Sequence, residues 1–209
     1  MEFALFIFIL IIFIFSAIIH EVSHGAVASW LGDPTAKLMG RLTLNPLPHL
    51  DPFGSIVLPL LLSIPALFGQ PTIIFGWAKP VPYDPRFLKK PIRDAALIAI
   101  AGPVSNFLIG LFFGLLVRFF VFSNILEALL NSIVWINVLL AVFNLVPIHP
   151  LDGSKILFAL FPQKSEKMKI FMERYGLMLL LFFIFFGFDL IMPIMAWIFR
   201  LFTGGGVVF

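Results

Sequence analysis

The stretch His20-Glu21-Val22-Ser23-His24 decides the fold, because it lies near the far end of an apolar run that covers residues 3–30. Residues four apart share one face of a helix, so the two histidines can bind the same metal ion while the glutamate faces another group held by that ion. The run is long enough, at about 1.5 Å per residue, to cross a hydrocarbon core of roughly 30 Å. It lacks a basic leader and a small-residue cleavage site, so we expect a retained membrane helix rather than a signal peptide.

The composition is that of a membrane protein. Of the 209 residues, 61% are hydrophobic and only 12% are charged, whereas soluble domains are about 45–50% apolar and about 25% charged. These values exclude a soluble protein and predict a single polytopic membrane domain over residues 1–209. The chain has no cysteine, so disulfides and thiolate zinc sites are excluded, and histidine, aspartate and glutamate remain as metal ligands.

The basic residues concentrate in two loops, which the positive-inside rule places in the cytoplasm. Beside membrane helices such clusters favour the membrane surface over nucleic acid, and no nucleic-acid partner is predicted. Ten of the fourteen lysines and arginines belong to these loops: Lys79, Arg86, Lys89, Lys90 and Arg93 in one, and Lys155, Lys164, Lys167, Lys169 and Arg174 in the other.

The apolar pattern predicts an all-α polytopic membrane protein of about five to six membrane helices or half-helices, with a small extended or β element at the cytoplasmic face. Residues 41–44 are the candidate strand within a loop, and alternate prolines favour an extended chain at 76–82. Two prolines bend the apolar segment 53–69. The other apolar segments are expected to be helices over 3–30, 94–122, 126–146 and 170–202, the last as one tilted helix or as two pieces broken near 187–189 and Pro193.

The histidines and Asp152 must lie at a similar depth in the membrane if they bind one metal ion, and this requirement constrains the topology. Basic loops flank the helix pair 94–146 on both sides, so the pair enters and leaves from the cytoplasm and Asp152 lies near that surface. If the two histidines share a metal ion with Asp152, helix 3–30 runs from outside to inside. Because residues 71–93 are then also inside, we expect segment 53–69 to be re-entrant or to lie on the surface rather than to cross.

A catalytic zinc site needs a third protein ligand and keeps a fourth position for water. Asp152 is the favoured third ligand, because prolines bend the chain ahead of it and Gly153 permits a tight turn; capping of the following helix is the alternative role. His49 and Asp51 are spaced like neighbours on one face of a strand. They are weaker candidates for the water path or a second ion, and the alternative is that they are ordinary surface-loop residues.

Polar side chains within the apolar helices are the remaining candidates for catalytic or substrate-binding roles. An unpaired charge in the membrane costs on the order of 2.5–3.5 kcal/mol, and no lysine or arginine occurs among the first 36 residues to pair with Glu21. A metal-bound water is the natural partner, which makes Glu21 the general base and later the proton donor to the leaving amine. Asn144 is a candidate to stabilise a polarised carbonyl oxygen. Asn106 is a candidate for substrate binding or, alternatively, for an interhelical hydrogen bond.

Three motifs occur in order along the chain: His20-Glu21-x-x-His24, Gly102-Pro103-x-x-Asn106 and Asn144-x-x-Pro147-x-x-x-Leu151-Asp152-Gly153. Together they resemble the site-2 protease family of intramembrane zinc metalloproteases, in its short forms without an inserted PDZ or CBS domain. The resemblance implies that His20, His24 and Asp152 bind one zinc ion, that Glu21 activates water and that Asn144 helps to hold the scissile carbonyl. It also implies that the stretch 76–82, with Gly76 and Trp77, presents a strand edge to an unwound substrate.

The resulting prediction is a zinc-dependent intramembrane endopeptidase with one zinc ion per chain. His149 lies within the third motif and is an accessory candidate ligand. We expect a prokaryotic cell-membrane protein with its active site near the cytoplasmic face, acting on single-pass membrane proteins or membrane-embedded peptides. A non-catalytic metal-binding membrane protein, either a transporter or an inactive scaffold, is the alternative. A transporter needs polar residues along a path across the bilayer, whereas the helices beyond the site are nearly uninterrupted phenylalanine, leucine and isoleucine, which favours the protease.

Overall fold

A computed structural model describes residues 2–64, 79–161 and 165–205, and no strand occurs among them. Long apolar helices make up most of the described residues. The α-helices are α1 (Glu2–Trp30), α2 (Thr35–Leu38), α3 (Leu58–Ser63), α4 (Pro91–Phe119), α5 (Asn124–Asn144), α6 (Asp152–Leu160), α7 (Ser165–Phe182) and α8 (Phe188–Thr203).

Four helical stretches of the described chain are long and apolar enough to cross a membrane: Ala4–Trp30, Pro91–Phe119, Asn124–Asn144 and Glu166–Thr203. The all-α class and the membrane helices are thereby confirmed, while the expected count of five to six helices or half-helices is not. The additional predicted segment, 53–69, is described only to residue 64. That part forms a π-helical turn (Pro52–Val57) followed by α3, and its re-entrant course stays a prediction.

The last apolar stretch forms one continuous helical rod rather than two separate pieces. A π-helical segment, Phe183–Gly187, joins α7 to α8, so the interruption expected near 187–189 is a local change of helical winding. Pro193 lies inside α8 without ending it. Neighbouring helices, side chains and local adjustments of winding can satisfy backbone groups that a proline releases in a membrane helix.

The predicted strand at 41–44 is not present, because these residues form bends. The Arg41 guanidinium donates to the carbonyl oxygen of Pro48, and Nε2 of His49 donates to the carbonyl oxygen of Thr43 at 2.9 Å. Side chains that bond nearby carbonyl groups offer the backbone an alternative to a strand ladder, so this loop folds onto itself. The other extended stretch, 76–82, is described only from Lys79 onward.

Helix α4 lies at the centre of the bundle and packs against α1, α5, α6 and α8. It starts with Pro91, and the Asp94 carboxylate accepts a hydrogen bond from the backbone N–H of Lys90 at 2.8 Å. Both features favour a helix start at this point. Further along, a Cβ on Gly114 would lie only 2.6 Å from Cβ of Phe202, so the absence of a side chain lets α8 approach closely.

The main apolar core lies between α5 and α8 and extends to α7. Its most deeply buried members are Val134, Val138, Met195 and Phe199. A second, smaller cluster joins the end of α1 to the start of α4 through Ala28, Leu88 and Ile98. The two clusters hold α4 between the N-terminal helix and the C-terminal helices, and this arrangement positions the polar site described next.

Candidate metal centre

Two helices bring three metal-binding side chains together. His20 and His24 lie one turn apart on α1, and Asp152 is the first residue of α6. Oδ2 of Asp152 lies 3.1 Å from Nε2 of His20 and 3.0 Å from Nε2 of His24, and all three side chains are buried. Their ligand atoms lie within 4.8 Å of one another, and among the described residues this is the group that can hold a metal ion.

One face of α4 fixes both imidazole rings. Nδ1 of His20 donates to Oδ1 of Asn106, and Nδ1 of His24 donates to the carbonyl oxygen of Ile98, each at 2.6 Å. Gly102 lies between these two contacts, where a Cβ would come within 2.5 Å of Nε2 of His20. The three α4 residues are four apart and therefore form one row. His24 meets the start of this row and His20 meets its end, so α1 and α4 run antiparallel.

The hydrogen bonds of the imidazoles make the group suitable for a cation. A neutral imidazole that donates from Nδ1 carries a lone pair on Nε2, and both lone pairs lie close to the carboxylate oxygen of Asp152. Three acceptor atoms at such distances repel one another unless a cation lies among them. Two ligands that are each about 2.1 Å from a tetrahedral zinc ion lie roughly 3.4 Å apart. The donor set therefore fits zinc with three protein ligands and a fourth position for water.

Asp152 reaches the histidines through a tight turn between α5 and α6. A Cβ on Gly153 would collide with the carbonyl oxygens of Leu145 and Val146, which are backbone atoms and cannot rotate away. Only glycine fits this close approach of two backbone segments. The prediction that Gly153 permits a tight turn beside Asp152 is confirmed.

The carboxylate of Asp152 contacts side chains rather than the backbone amides that a capping role requires. Its Oδ1 accepts a hydrogen bond from Nζ of Lys155 at 3.2 Å, and that ammonium group lies 5.7 Å from the ring centre of Tyr83. A carboxylate must be ionised to bind a metal ion, and the Lys155 ammonium group beside Oδ1 favours the ionised form.

Glu21 follows the first histidine and is half-buried. Its Oε2 accepts a hydrogen bond from the backbone N–H of Val81 at 2.7 Å. The donor is thus an amide from a distant loop rather than a lysine or arginine side chain. This contact was not predicted from the sequence, because a backbone donor leaves no signature in the residue types.

A buried polar network supports the first histidine from behind. The Nδ2 group of Asn106 donates to Oδ1 of Asn137 at 3.0 Å and to the carbonyl oxygen of Ser16 at 3.2 Å. Nδ2 of Asn137 donates to Oγ of Ser16 at 3.0 Å. Both asparagines have no exposed surface. The amide of Asn106 therefore serves His20 and its neighbours, which supports the interhelical alternative over contact with substrate.

Sequence reasoning missed three members of the site, although each left a signal in the sequence. Ser16 precedes His20 by four residues and shares its helix face, and Lys155 follows Asp152 by three residues in the same way. Asn137 is an amide in an otherwise apolar stretch of α5, like the two asparagines that were considered.

The remaining predicted residues lie outside the metal-binding group. Nδ2 of Asn144 donates to the carbonyl oxygen of Leu140 at 2.9 Å, one turn earlier on α5, so its role at a substrate carbonyl stays a prediction. The backbone of His149 packs against Gly176 of α7. His49 is fully buried in its own loop, and the Asp51 carboxylate caps the following helical turn through the N–H groups of residues 53 and 54. Gly76 and Trp77 lie outside the described residues.

Comparison with known proteins gives a consistent result. A family model described as peptidase family M50 matches residues 119–186, which include Asp152. A protein of Bacillus subtilis (strain 168) named "Putative zinc metalloprotease YwhC" is 39% identical over 183 residues, covering 83% of this chain and 78% of the relative. No solved structure matches the chain.

Two further relatives share shorter or weaker similarity. "Zinc metalloprotease MJ0392" of Methanocaldococcus jannaschii is 35% identical over 81 residues, which are 39% of this chain and 24% of the relative. "Putative zinc metalloprotease Rip2" of Mycolicibacterium smegmatis is 30% identical over 151 residues, which are 70% of this chain and 55% of the relative. With its apolar helices, its His-His-Asp group and a relative matched over most of both chains, this membrane protein belongs to peptidase family M50, the site-2 protease family of zinc metalloproteases.

Proposed function

We propose that the chain is a zinc-dependent intramembrane endopeptidase that binds one zinc ion and cuts a peptide bond in or near a membrane-spanning segment of another protein. The observation that carries this proposal is the group of His20, His24 and Asp152. It combines two imidazoles fixed in the metal-binding tautomer with one carboxylate, and two of its members lie on α1, a helix suited to crossing a membrane.

The chain's own residues divide the chemistry among them. Zinc held by the three ligands would supply a Lewis acid that makes water easier to deprotonate. Glu21 would accept the proton of the attacking water as the general base and later deliver it to the leaving amine. The amide of Asn144 helps to hold the scissile carbonyl oxygen as negative charge develops there. The substrate must be unwound locally, because a helical peptide bond is shielded by side chains and its carbonyl is already hydrogen-bonded.

The antiparallel contact of α1 and α4 supports a proposal for the side of the membrane on which the site lies. The end of α1 that carries the histidines lies beside the start of α4, and the basic residues Arg86, Lys89, Lys90 and Arg93 surround that start. Basic loops favour the cytoplasmic side. We therefore assign the active site to the cytoplasmic face of a prokaryotic cell membrane. Single-pass membrane proteins and membrane-embedded peptides are the proposed substrates.

The test is Glu21→Gln in the full chain, assayed with a model single-pass substrate in detergent or in reconstituted bilayers. The variant should keep its zinc and lose about 10²- to 10⁴-fold in cleavage rate, because the amide cannot take a proton. Glu127→Gln is the matched control, since Glu127 is exposed in the first turn of α5, and it should cleave like the wild type. Full cleavage by Glu21→Gln would refute the mechanism. Zinc binding by a wild type that cleaves no membrane substrate would favour the non-catalytic alternative.

A further inference from the structure

A short segment of the chain holds the carboxylate of Glu21. This segment, the strap, comprises residues 79–84 and is hydrogen-bonded to the rest of the protein through three of its backbone N–H groups. Lys79 donates to the carbonyl oxygen of His49 at 2.7 Å, Val81 donates to Oε2 of Glu21 at 2.7 Å, and Asp84 donates to Oδ2 of Asp33 at 2.7 Å. The central bond therefore lies between two fixed ends.

The surface of α1 is shaped to receive the strap. Gly25 follows Glu21 by four residues and so lies on the same face of the helix. A Cβ on Gly25 would lie 2.8 Å from Cγ1 of Val81 and 2.7 Å from Cδ2 of Leu42. The side chain of Val81 is only 8% exposed. The missing side chain of Gly25 thus creates the depression in which Val81 lies, and this close approach brings the Val81 amide within reach of the carboxylate.

The sequence of the strap leaves one backbone N–H group, that of Val81, to bond Glu21. Pro80 and Pro82 have no N–H group, and each ring fixes its φ angle near −65°, so the amide of Val81 is the donor between them. Two flanking prolines also reduce the conformational freedom that the strap loses when it is held in place. The next residue, Tyr83, lies over the ammonium group of Lys155, which itself contacts Asp152. The strap therefore connects both halves of the site.

We propose that Val81 is a positioning residue for the reaction, acting through its backbone N–H on Glu21. The bond holds Oε2 and leaves Oε1 free of this contact, so the general base is already ordered before each catalytic cycle. It also gives a half-buried carboxylate a hydrogen-bond donor on a helix that contains no lysine or arginine. This inference rests on the proposed role of Glu21 as the general base.

Hydrogen exchange tests the bond without any measurement of activity. A peptide covering the strap contains only four amide N–H groups, because two of its six residues are proline. In the full-length protein, Glu21→Ala should expose the Val81 amide to exchange, while Glu21→Gln should retain part of the protection because its side-chain oxygen still accepts. Asp33→Ala is the matched control and, within the strap, should release only the amide of Asp84. Unchanged exchange at Val81 in Glu21→Ala would overturn the proposal.

Kinetics on a model membrane substrate test the consequence. Val81→Pro removes the N–H in a segment already flanked by prolines, and Val81→Ala keeps the N–H while removing most of the side chain. Hydrogen bonds to charged groups correspond to losses of about 10- to 100-fold when broken, so Val81→Pro should lower kcat by this factor. KM and zinc content should stay near those of the wild type, and Val81→Ala should lose clearly less.

Several other outcomes of these experiments would overturn the positioning role of Val81 or the role of Glu21. The proposal would be overturned if Val81→Pro had the kcat of the wild type. It would also be overturned if Val81→Ala lost as much kcat as Val81→Pro, because the packing of the side chain rather than the amide would then matter. Loss of zinc in Val81→Pro would also contradict it, since Val81 is given no part in metal binding. An active Glu21→Gln variant would refute the role of the base itself, whereas an inactive Glu21→Gln with an unimpaired Val81→Pro would refute only the positioning.

Discussion

Gly102→Ala is a small change that should act directly on a metal ligand. A Cβ at this position would lie 2.5 Å from Nε2 of His20 and 2.6 Å from Cδ2 and Cε1 of the same ring. The ring cannot simply rotate away, because its Nδ1 is bonded to Asn106 at 2.6 Å. The added methyl group must therefore displace the imidazole or push α1 away from α4.

The magnitude follows from the distances. To reach an ordinary contact of 3.4 Å, Nε2 of His20 must retreat by about 0.9 Å, whereas metal–ligand distances tolerate about ±0.2 Å. Alanine in place of glycine inside a helix gains about 0.5–1 kcal/mol, and overpacking costs typically 1–3 kcal/mol. The net change is thus a loss of about 0–2.5 kcal/mol in folding stability, while zinc affinity should fall by about 10- to 100-fold, which corresponds to about 1.4–2.7 kcal/mol.

Two other glycines of α4 provide matched controls. A Cβ on Gly110 would meet Phe202 and Asn137 at 3.6–3.7 Å, which is ordinary contact, so Gly110→Ala should raise Tm and leave zinc affinity unchanged. A Cβ on Gly114 would lie 2.6 Å from Cβ of Phe202, an overlap as severe as that at Gly102 but about 18 Å further along the helix. Gly114→Ala should therefore lower Tm without weakening zinc binding.

The assay is the zinc dissociation constant of the purified full-length protein, measured by competition with a chromogenic chelator, together with thermal unfolding in the same detergent. Zinc affinity should separate Gly102→Ala from both controls. Wild-type affinity in Gly102→Ala would show that the imidazole is not confined as described. An equal loss of affinity in Gly114→Ala would show that any disturbance of helix packing releases the metal, and would also refute the reasoning.

Two further changes test the surroundings of the ligands. Asn106→Leu removes the acceptor that fixes the tautomer of His20, and loss of such a supporting group typically costs about 10- to 100-fold in metal affinity. Chelator competition would measure the zinc affinity, and an unchanged value would contradict the role of the amide. Gly153→Ala would place a Cβ 2.5 Å from the carbonyl oxygen of Val146, so we expect a loss of zinc and a lower Tm, whereas Gly205→Ala, with nothing within 4 Å, should retain both.

The long helices were predictable because composition alone determines them. The predicted helix 3–30 is observed as Glu2–Trp30, since an apolar run of this length has no alternative in a membrane. The start of α4 was expected at Asp94 and lies at Pro91, because proline is well suited to the first turn of a helix. The predicted strand failed for a different reason. The Arg41 side chain and the carbonyl oxygen of Thr43 form hydrogen bonds within the loop, and the alternation of residue types does not reveal such contacts.

The side chains of the site were predictable where helical spacing or a motif identifies them. The contact made by a backbone group of a distant loop was not. The His20–His24 pair follows from one turn of helix, and the ordered motifs added Asp152 at a distance of 132 residues. The bond from Val81 to Glu21 could not be found in this way, because its donor is a backbone group and its geometry depends on the loop that carries it. Asn137 lies between these cases, since an amide in an apolar helix signals a buried contact without naming the partner.

The second motif acquires a physical meaning from the register of α1 and α4. Asn106 supplies an acceptor to His20, and Gly102 supplies the space for that ring one turn earlier. One more turn back, the carbonyl oxygen of Ile98 serves His24, and any residue type can provide it because it belongs to the backbone. Rotating α4 by one residue, about 100°, would remove all three contacts together. The histidine pair on α1 therefore requires a glycine and an asparagine four apart on its antiparallel neighbour, with no side-chain requirement at position 98, and this explains why the motif specifies Gly102 and Asn106 but not Ile98.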